Sequence, residues 1–438
     1  MTTAAPAAPT TPGPMDTPPD HRTYLFALVD GGGTVPPELG AARRLVERGH
    51  TVVVLAEDSM RADVEATGAR YRAWVRATNR ASRLPADDPY QDWECKTPNQ
   101  LFERILDRQL VGPAPAYAAD LDDALADVHP DLVVCSMFAL GSMLAAEAAG
   151  VPFDVLIPNA YALPAPGMPP FGAGLRPARG PLGRLRDRVV TAVIDRAWRK
   201  GLPGLNALRR ERGLDPADSV FGQTASARRH LVLTSAAFDF PAQLPDRARY
   251  VGAVLDDPAW AEGAWTPPPG DDPLVLVALS STFQDQAATL QRIIDGLGRL
   301  PVRVLVTTGP ALDPATLVAP ANVSIVAAAP HSAVLAQAAA VVTHGGHGTV
   351  VRALAAGVPL LVLPHGRDQA DNAVRVTTRG AGLKLGRKAK PAAVAQAVQR
   401  LLDDPSFRAG SEALGATIRR DAAAGTLVAE LESVPARI

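Results

Sequence analysis

The feature that most constrains this chain is a rhythm of short apolar runs alternating with amphipathic stretches, which stops once and then restarts. Tyr24–Val29 is an apolar run closed by Asp30-Gly31-Gly32-Gly33. Such a run ended by glycines suits a strand buried on both faces of a parallel sheet. Pro37 fits the first turn of a helix. Leu39, Ala42, Leu45 and Val46 give that helix an apolar face, Gly49 ends it, and Thr51–Leu55 is the next strand. Strand, helix and strand in this order make a βαβ unit, which implies helices packed over a parallel sheet. Asp131–Cys135, Phe153–Ile157 and Leu231–Thr234 continue the strands, with a helix near Leu140–Ala149. Residues 158–228 read as irregular at first, then helical and rich in arginine.

The rhythm breaks over 256–272, where Trp260, Trp265 and Pro267-Pro268-Pro269-Gly270 read as a linker. It restarts with strands expected at Leu274–Ala278, Val302–Thr307, Val323–Val326, Val341–Thr343 and Leu360–Leu363. A chain of 438 residues is long for one domain and comfortable for two. The expectation is an α/β protein of two Rossmann-like domains facing a cleft, over 22–255 and 273–420. Residues 1–21, rich in Ala, Pro and Thr, are expected to be a disordered tail, because they cannot bury enough surface to offset ordering. The end, 421–438, is expected to form a helix packing back on the first domain.

Composition narrows the partners. The net charge of −1 removes the simplest electrostatic case for nucleic acid or an anionic membrane. No apolar run reaches the ~18 residues that span a bilayer. The best stretch, Ala353–Pro364, is broken by Gly357 and Pro359. The first twenty residues lack the basic and apolar regions of a secretory signal, so a cytoplasmic protein without stable membrane insertion is expected. Cys95 and Cys135 have no CxxC partner or neighbouring histidine, which reads as two reduced thiols and no zinc site.

Two segments of the second half carry chemistry. In Thr343-His344-Gly345-Gly346-His347-Gly348-Thr349 a strand meets a glycine-rich turn, with a helix expected to begin near Thr349. Glycines allow close backbone approach, and a helix start offers free N–H groups and a positive dipole end to a phosphate. His344 and Thr349 can add side-chain donors. An ordinary tight turn would look similar. After the next strand comes Pro364-His365-Gly366-Arg367-Asp368-Gln369-Ala370-Asp371-Asn372. Both loops leave the carboxyl edge of the sheet, where ligands bind in such folds. Asp368 and Gln369 can accept from and donate to sugar hydroxyls. Asp368 or Asp371 could equally cap a helix.

The order and spacing of these motifs resemble the nucleotide-sugar signature of the GT-B, family 1 glycosyltransferases, nearest the bacterial natural-product and macrolide branch. Gly49-His50, Ala278-Leu279-Ser280-Ser281-Thr282 and Pro330-His331 extend the likeness, which spans about 22–420. It implies an inverting transferase that moves a sugar from a nucleotide-diphosphate donor to a small apolar acceptor, with the nucleotide sugar as co-substrate, no other cofactor and no metal. It further implies that His344, Gly346, Gly348 and Thr349 hold the diphosphate, with Ser280 and Ser281 across from it. Asp368 and Gln369 would bind the sugar, and Ala329–His331 would frame the base. Ser332 reads better as a helix cap, and His347 as a packed or solvated histidine. A homodimer is allowed for.

Three departures from the pattern matter. The family's Gly-His-x-x-Pro, whose histidine is the base, here reads Gly33-Thr34-Val35-Pro36-Pro37. The aspartate that orients that histidine is replaced by Ser136. Thr34 can at most orient an acceptor, so either Asp30 is the base or the acceptor activates itself; Asp30 reads equally well as a turn residue that satisfies the Gly31–Gly33 backbone. Arg352 stands where relatives carry a glutamate toward the ribose hydroxyls. Arginine accepts no hydrogen bond, so a dTDP-sugar is expected over a UDP-sugar. Trp74, Trp93, Phe102, Tyr161, Met168 and Phe171, in the least regular parts of the first domain, either line an apolar acceptor site or pack the loops. Two other readings stay open: a nucleotide-sugar epimerase of GT-B fold, and a non-catalytic helper that binds nucleotide sugar.

Overall fold

Strands buried on both faces need nearly unbroken apolar sequence, and the central strands here have it. The computed structural model describes residues 21–261, 263 and 265–435; the expected tail, apart from His21, lies outside them. The first sheet is built from β1 (Thr23–Ala27), β2 (Thr51–Ala56), β3 (Arg70–Ala73), β4 (Leu132–Ser136), β5 (Phe153–Ile157), β6 (Arg229–Val232) and β7 (Ala248–Tyr250). Its order is β3-β2-β1-β4-β5-β6-β7, with every pairing parallel. The second sheet holds β8 (Leu274–Ala278), β9 (Arg303–Thr307), β10 (Val323–Val326), β11 (Ala338–Thr343), β12 (Leu360–Val362) and β13 (Gly382–Lys384). Its order is β10-β9-β8-β11-β12-β13, again all parallel.

Three strands were not legible in the sequence: β3, β7 and β13. Each is an edge strand of three or four residues, and the first two carry arginines. An edge strand needs no apolar run, because one side of it faces solvent.

Strand order reverses between β1 and β4 in one sheet and between β8 and β11 in the other. At such a switch point the loops leaving the carboxyl ends part and leave a crevice. The two crevices face each other. A Cβ placed on Gly32, after β1, would stand 2.3 Å from the Thr282 methyl, after β8. Trp93 and Phe283 meet edge to face across the same boundary at 5.0 Å.

The segment joining the domains is pinned rather than loose. Asp256 pairs with Arg43 and Arg44 on the helix Val35–Glu47, and Asp257 pairs with Arg352 of the second domain. The chain then returns. The helix Thr426–Glu432 inserts Leu427 and Leu431 into the core of the first domain beside Tyr24, Leu28 and Leu45. Glu432 there accepts hydrogen bonds from Arg48 and contacts His50.

Candidate functional site

The second sheet positions one half of the site. β11 ends at Thr343, and Gly345 turns the chain with φ of +99°, a conformation that disfavours side chains. A Cβ there would also stand 2.6 Å from Val362 and 3.1 Å from the Gln369 carbonyl. The His344 ring folds against Gly346, where a Cβ would come within 2.7 Å of the ring. The helix begins at His347, earlier than expected, with Gly346 at its cap and no side chain capping it. The N–H groups of His347, Gly348 and Thr349 therefore form the first turn, which has no intrahelical acceptors. Aligned with the dipole, they offer donors of the kind an anion takes up. His344 is neutral at physiological pH: burial above all, with smaller contributions from neighbouring His365 and the charge of Arg367, pushes it down to about 3. His347 faces away from the turn, bonds Thr234 at 3.0 Å and packs on Phe238. It is a packed histidine that joins the two domains.

Ser280, Gln369 and Asp368 come together with this turn at the ends of β8 and β12, the two neighbours of β11. Ser280 Oγ accepts from Gln284 Nε2 at 2.8 Å and from the Thr282 N–H at 3.2 Å. Gln284 Oε1 accepts from Gln369 Nε2 at 2.8 Å. Gln369 Oε1 accepts from the His365 and Gly366 N–H groups. The Gln369 amide, expected to be free for a sugar, is thus committed to bracing one donor-side loop against another. Asp368 accepts from Asn372 at 2.8 Å and does not cap its helix; packing around its carboxyl pushes it up to about 6. Asp371, the other candidate cap, instead accepts from the backbone of Gly172 and Gly174 in the first domain. Ser281 faces the opposite way, into a small cavity of about 90 Å³ with Gly32, Asp257 and Trp260.

Ala329 and His331 follow β10, three strands from β11, or roughly 14 Å at the usual strand spacing. Ala329 is buried, and His331 bonds Thr307 at the end of β9 at 3.1 Å. The expected cap at Ser332 is replaced by another group. Asp257, from the linker, accepts from both the N–H and the hydroxyl of Ser332 and from Arg352. Arg352 also donates to the Gly348 carbonyl, so its guanidinium ties the linker to the anion-binding helix.

In the first domain Asp30 takes the turn-residue role, receiving the Gly32 N–H. Asp30 is fully buried, and both of its oxygens are occupied. Gly32 N–H donates to one at 2.9 Å, while Ser59 and Arg83 each donate to the other at 2.9 Å. Burial would raise this carboxyl, but Arg83 and Arg80 outweigh it and hold the group below the usual carboxylate range. An anchored, weakly basic carboxylate is a poor proton acceptor at neutral pH. Thr34 caps the helix Val35–Glu47 by position only; its Oγ1 is buried and makes no hydrogen bond to protein. Ser136 Oγ is likewise buried without a well-formed hydrogen bond.

Sequence reasoning missed Glu38, fully buried beside Ser136 with neither oxygen in a well-formed hydrogen bond. One signal was available. Glu38 lies one turn after Thr34, on the helix face that otherwise carries Val35, Leu39 and Ala42 into the core. On the acceptor side, Trp74 and Tyr161 are core residues, bonded to Leu28 O and next to His230 respectively. Phe102 packs on Trp198. Among the described residues no group of three His, Cys, Asp or Glu could hold a metal ion, and no helix is long and apolar enough to cross a membrane.

Two parallel sheets with opposed switch points, one of them carrying an open helix start, define a fold of two Rossmann-like domains. Residues 291–433 match the family described as the erythromycin biosynthesis protein CIII-like C-terminal domain. The chain is 30% identical over 396 residues to the 4'-demethylrebeccamycin synthase of Lentzea aerocolonigenes, covering 88% of this chain and 92% of that one. It is 30% identical over 384 residues to the oleandomycin glycosyltransferase of Streptomyces antibioticus, covering 85% and 81%. The crystal structure of the calicheamicin glycosyltransferase CalG4 superposes with a TM-score of 0.73 at 26% identity, over 95% of this chain and 98% of that one. The chain belongs to the family 1 natural-product glycosyltransferases of GT-B fold.

Proposed function

We propose that this enzyme is an inverting transferase that moves a sugar from a nucleotide-diphosphate donor, dTDP-linked in preference to UDP-linked, onto a small apolar acceptor. The observation that carries the reading is the open first turn His347–Thr349, set at the switch point of the second sheet beside β8, whose following loop lays Thr282 against Gly32 of the first domain. A diphosphate on that turn would place the anomeric carbon toward the first domain, where Thr34 is the nearest hydroxyl-bearing side chain of the helix start. The names of the relatives, a 4'-demethylrebeccamycin synthase and an oleandomycin glycosyltransferase, support a natural-product acceptor. The nucleotide preference rests on Arg352. The carboxylate next to it, Asp257, already accepts from Ser332 and Arg352, so a ribose 2'-hydroxyl meets no uncommitted acceptor there.

The test is a transfer assay by mass spectrometry with dTDP-glucose and UDP-glucose against a panel of macrolactone, phenolic and indolic acceptors, with the anomeric configuration read by NMR. The expected result is a product of inverted configuration and a higher kcat/KM for the dTDP donor. Nucleotide binding without transfer to any acceptor would favour a non-catalytic helper. A clear UDP preference would overturn the reading of Arg352.

A further inference from the structure

Proton removal from an acceptor needs a group that can hold a proton, and the first domain offers one that no motif announces. Glu38 sits on the helix Val35–Glu47, under the helix start that faces the cleft. Its carboxyl is fully buried, lies against the Ser136 hydroxyl at the end of β4, and has both oxygens without a well-formed partner. Thr34 Oγ1 and Ser136 Oγ are likewise buried without a well-formed hydrogen bond. Unpaired buried polar atoms are rare, and each costs about 1–3 kcal/mol. Glu38 and Ser136 meet beside the β1–β4 switch point, and Thr34 stands one helical turn before Glu38. The Glu38 N–H reaches back to the Thr34 carbonyl at 3.4 Å, so the two side chains lie one helical turn apart on one face.

We propose that Glu38 is the final proton acceptor of the transfer, reached through the Thr34 hydroxyl, an inference that rests on the transferase reading above. With the Thr34 hydroxyl, unpaired in the free protein, turned onto Glu38 when the acceptor binds, the acceptor's O–H proton passes to Thr34 Oγ1 as Thr34's own proton passes to the ionised Glu38. The acceptor oxygen uses the freed electron pair to bond the anomeric carbon. The bond from that carbon to the diphosphate oxygen breaks, and its pair leaves with the diphosphate. Thr34 touches the acceptor; Glu38 acts through it, and Ser136 orients the carboxyl.

Burial raises Glu38 well above the ordinary carboxylate range, Ser136 lowers it in part, and the negative charge of Asp30 at the end of β1 raises it further. A base is most useful when its pKa lies near the working pH, which an ordinary glutamate at about 4.3 does not meet. The charged form is the base, so transfer should rise with pH through this raised value.

The experiment uses the full chain with dTDP-glucose and two acceptor probes. One is a macrolactone with a free secondary alcohol; the other is umbelliferone, whose phenol gives up its own proton more easily. Glu38→Gln copies the shape of the protonated carboxyl. It should lower single-turnover transfer to the macrolactone about 10²–10⁴-fold, flatten the rise with pH, leave dTDP affinity unchanged and affect umbelliferone much less. Thr34→Val, which keeps the shape and removes the hydroxyl, should give the same pattern with Glu38 intact. Carbon NMR of protein labelled at glutamate reads the carboxyl directly and needs no acceptor: one resonance should titrate above the ordinary glutamate range and vanish in Glu38→Gln. Active wild type with an equally active Glu38→Gln or Thr34→Val overturns the relay, as does a Glu38 resonance that titrates like a surface glutamate. A wild type inactive on both probes with the raised resonance present counts against the transferase reading instead.

Discussion

Asp239→Ala is expected to lower folding stability by about 3–5 kcal/mol, the usual result of leaving one partner of a buried ion pair alone. Asp239 is fully buried, and Arg375, on the helix Gln369–Thr378, is nearly so. One carboxylate oxygen accepts from Arg375 Nε at 3.0 Å and Nη2 at 2.7 Å. The other accepts from the Tyr161 N–H at 2.8 Å and the Tyr250 hydroxyl at 2.9 Å. One side chain thus joins the loop after β5, the edge strand β7 and the helix that follows the donor loop. Arg375 also lies over the Phe240 ring, 4.7 Å from its centroid, so it cannot swing out to water without losing that contact. Denaturant unfolding should show the loss as a lower midpoint. Arg375→Met added to Asp239→Ala should recover part of it, because the uncompensated charge is then gone. A loss below about 1 kcal/mol in Asp239→Ala would mean that the pair is not desolvated as described.

His344→Ala is expected to weaken nucleoside diphosphate binding by about 1–3 kcal/mol, roughly 5- to 150-fold, while leaving the protein folded. The ring is neutral in the free protein, but a bond from a neutral donor to a charged phosphate still belongs to the stronger class. The ring also fills the space under Gly346, so its removal frees the turn that presents the His347–Thr349 N–H groups. Calorimetry with dTDP reads the change. An unchanged affinity in folded His344→Ala would place the phosphates elsewhere.

The expected donor turn was readable from sequence because the geometry it needs is backbone geometry. Glycines at 345, 346 and 348 and a helix start after a buried strand leave a mark in sequence that does not depend on distant partners. The strands of both sheet centres were legible for the same local reason. The commitments of Gln369 were not, and Asp30 was legible only as the turn residue that receives the Gly32 N–H. Gln369 is spoken for by Gln284, and Asp30 by Arg83, residues 85 and 53 positions away. A side chain's availability depends on such long-range partners, which no local pattern records. Arg352 was read correctly as unable to accept a hydrogen bond, but its partner Asp257 sits in a stretch that looked like plain linker. Glu38 escaped notice because a single charge on an apolar helix face reads as a solvated edge until the strand packed over it is known.

The most direct test of the central claim is a crystal structure of the enzyme with dTDP. The account predicts diphosphate oxygens within hydrogen-bond distance of the Gly348 and Thr349 N–H groups and beside His344, with the base toward Ala329–His331. A nucleotide bound away from the β8–β11 switch point, with the first turn of the helix His347–Ala355 uncontacted, would contradict it.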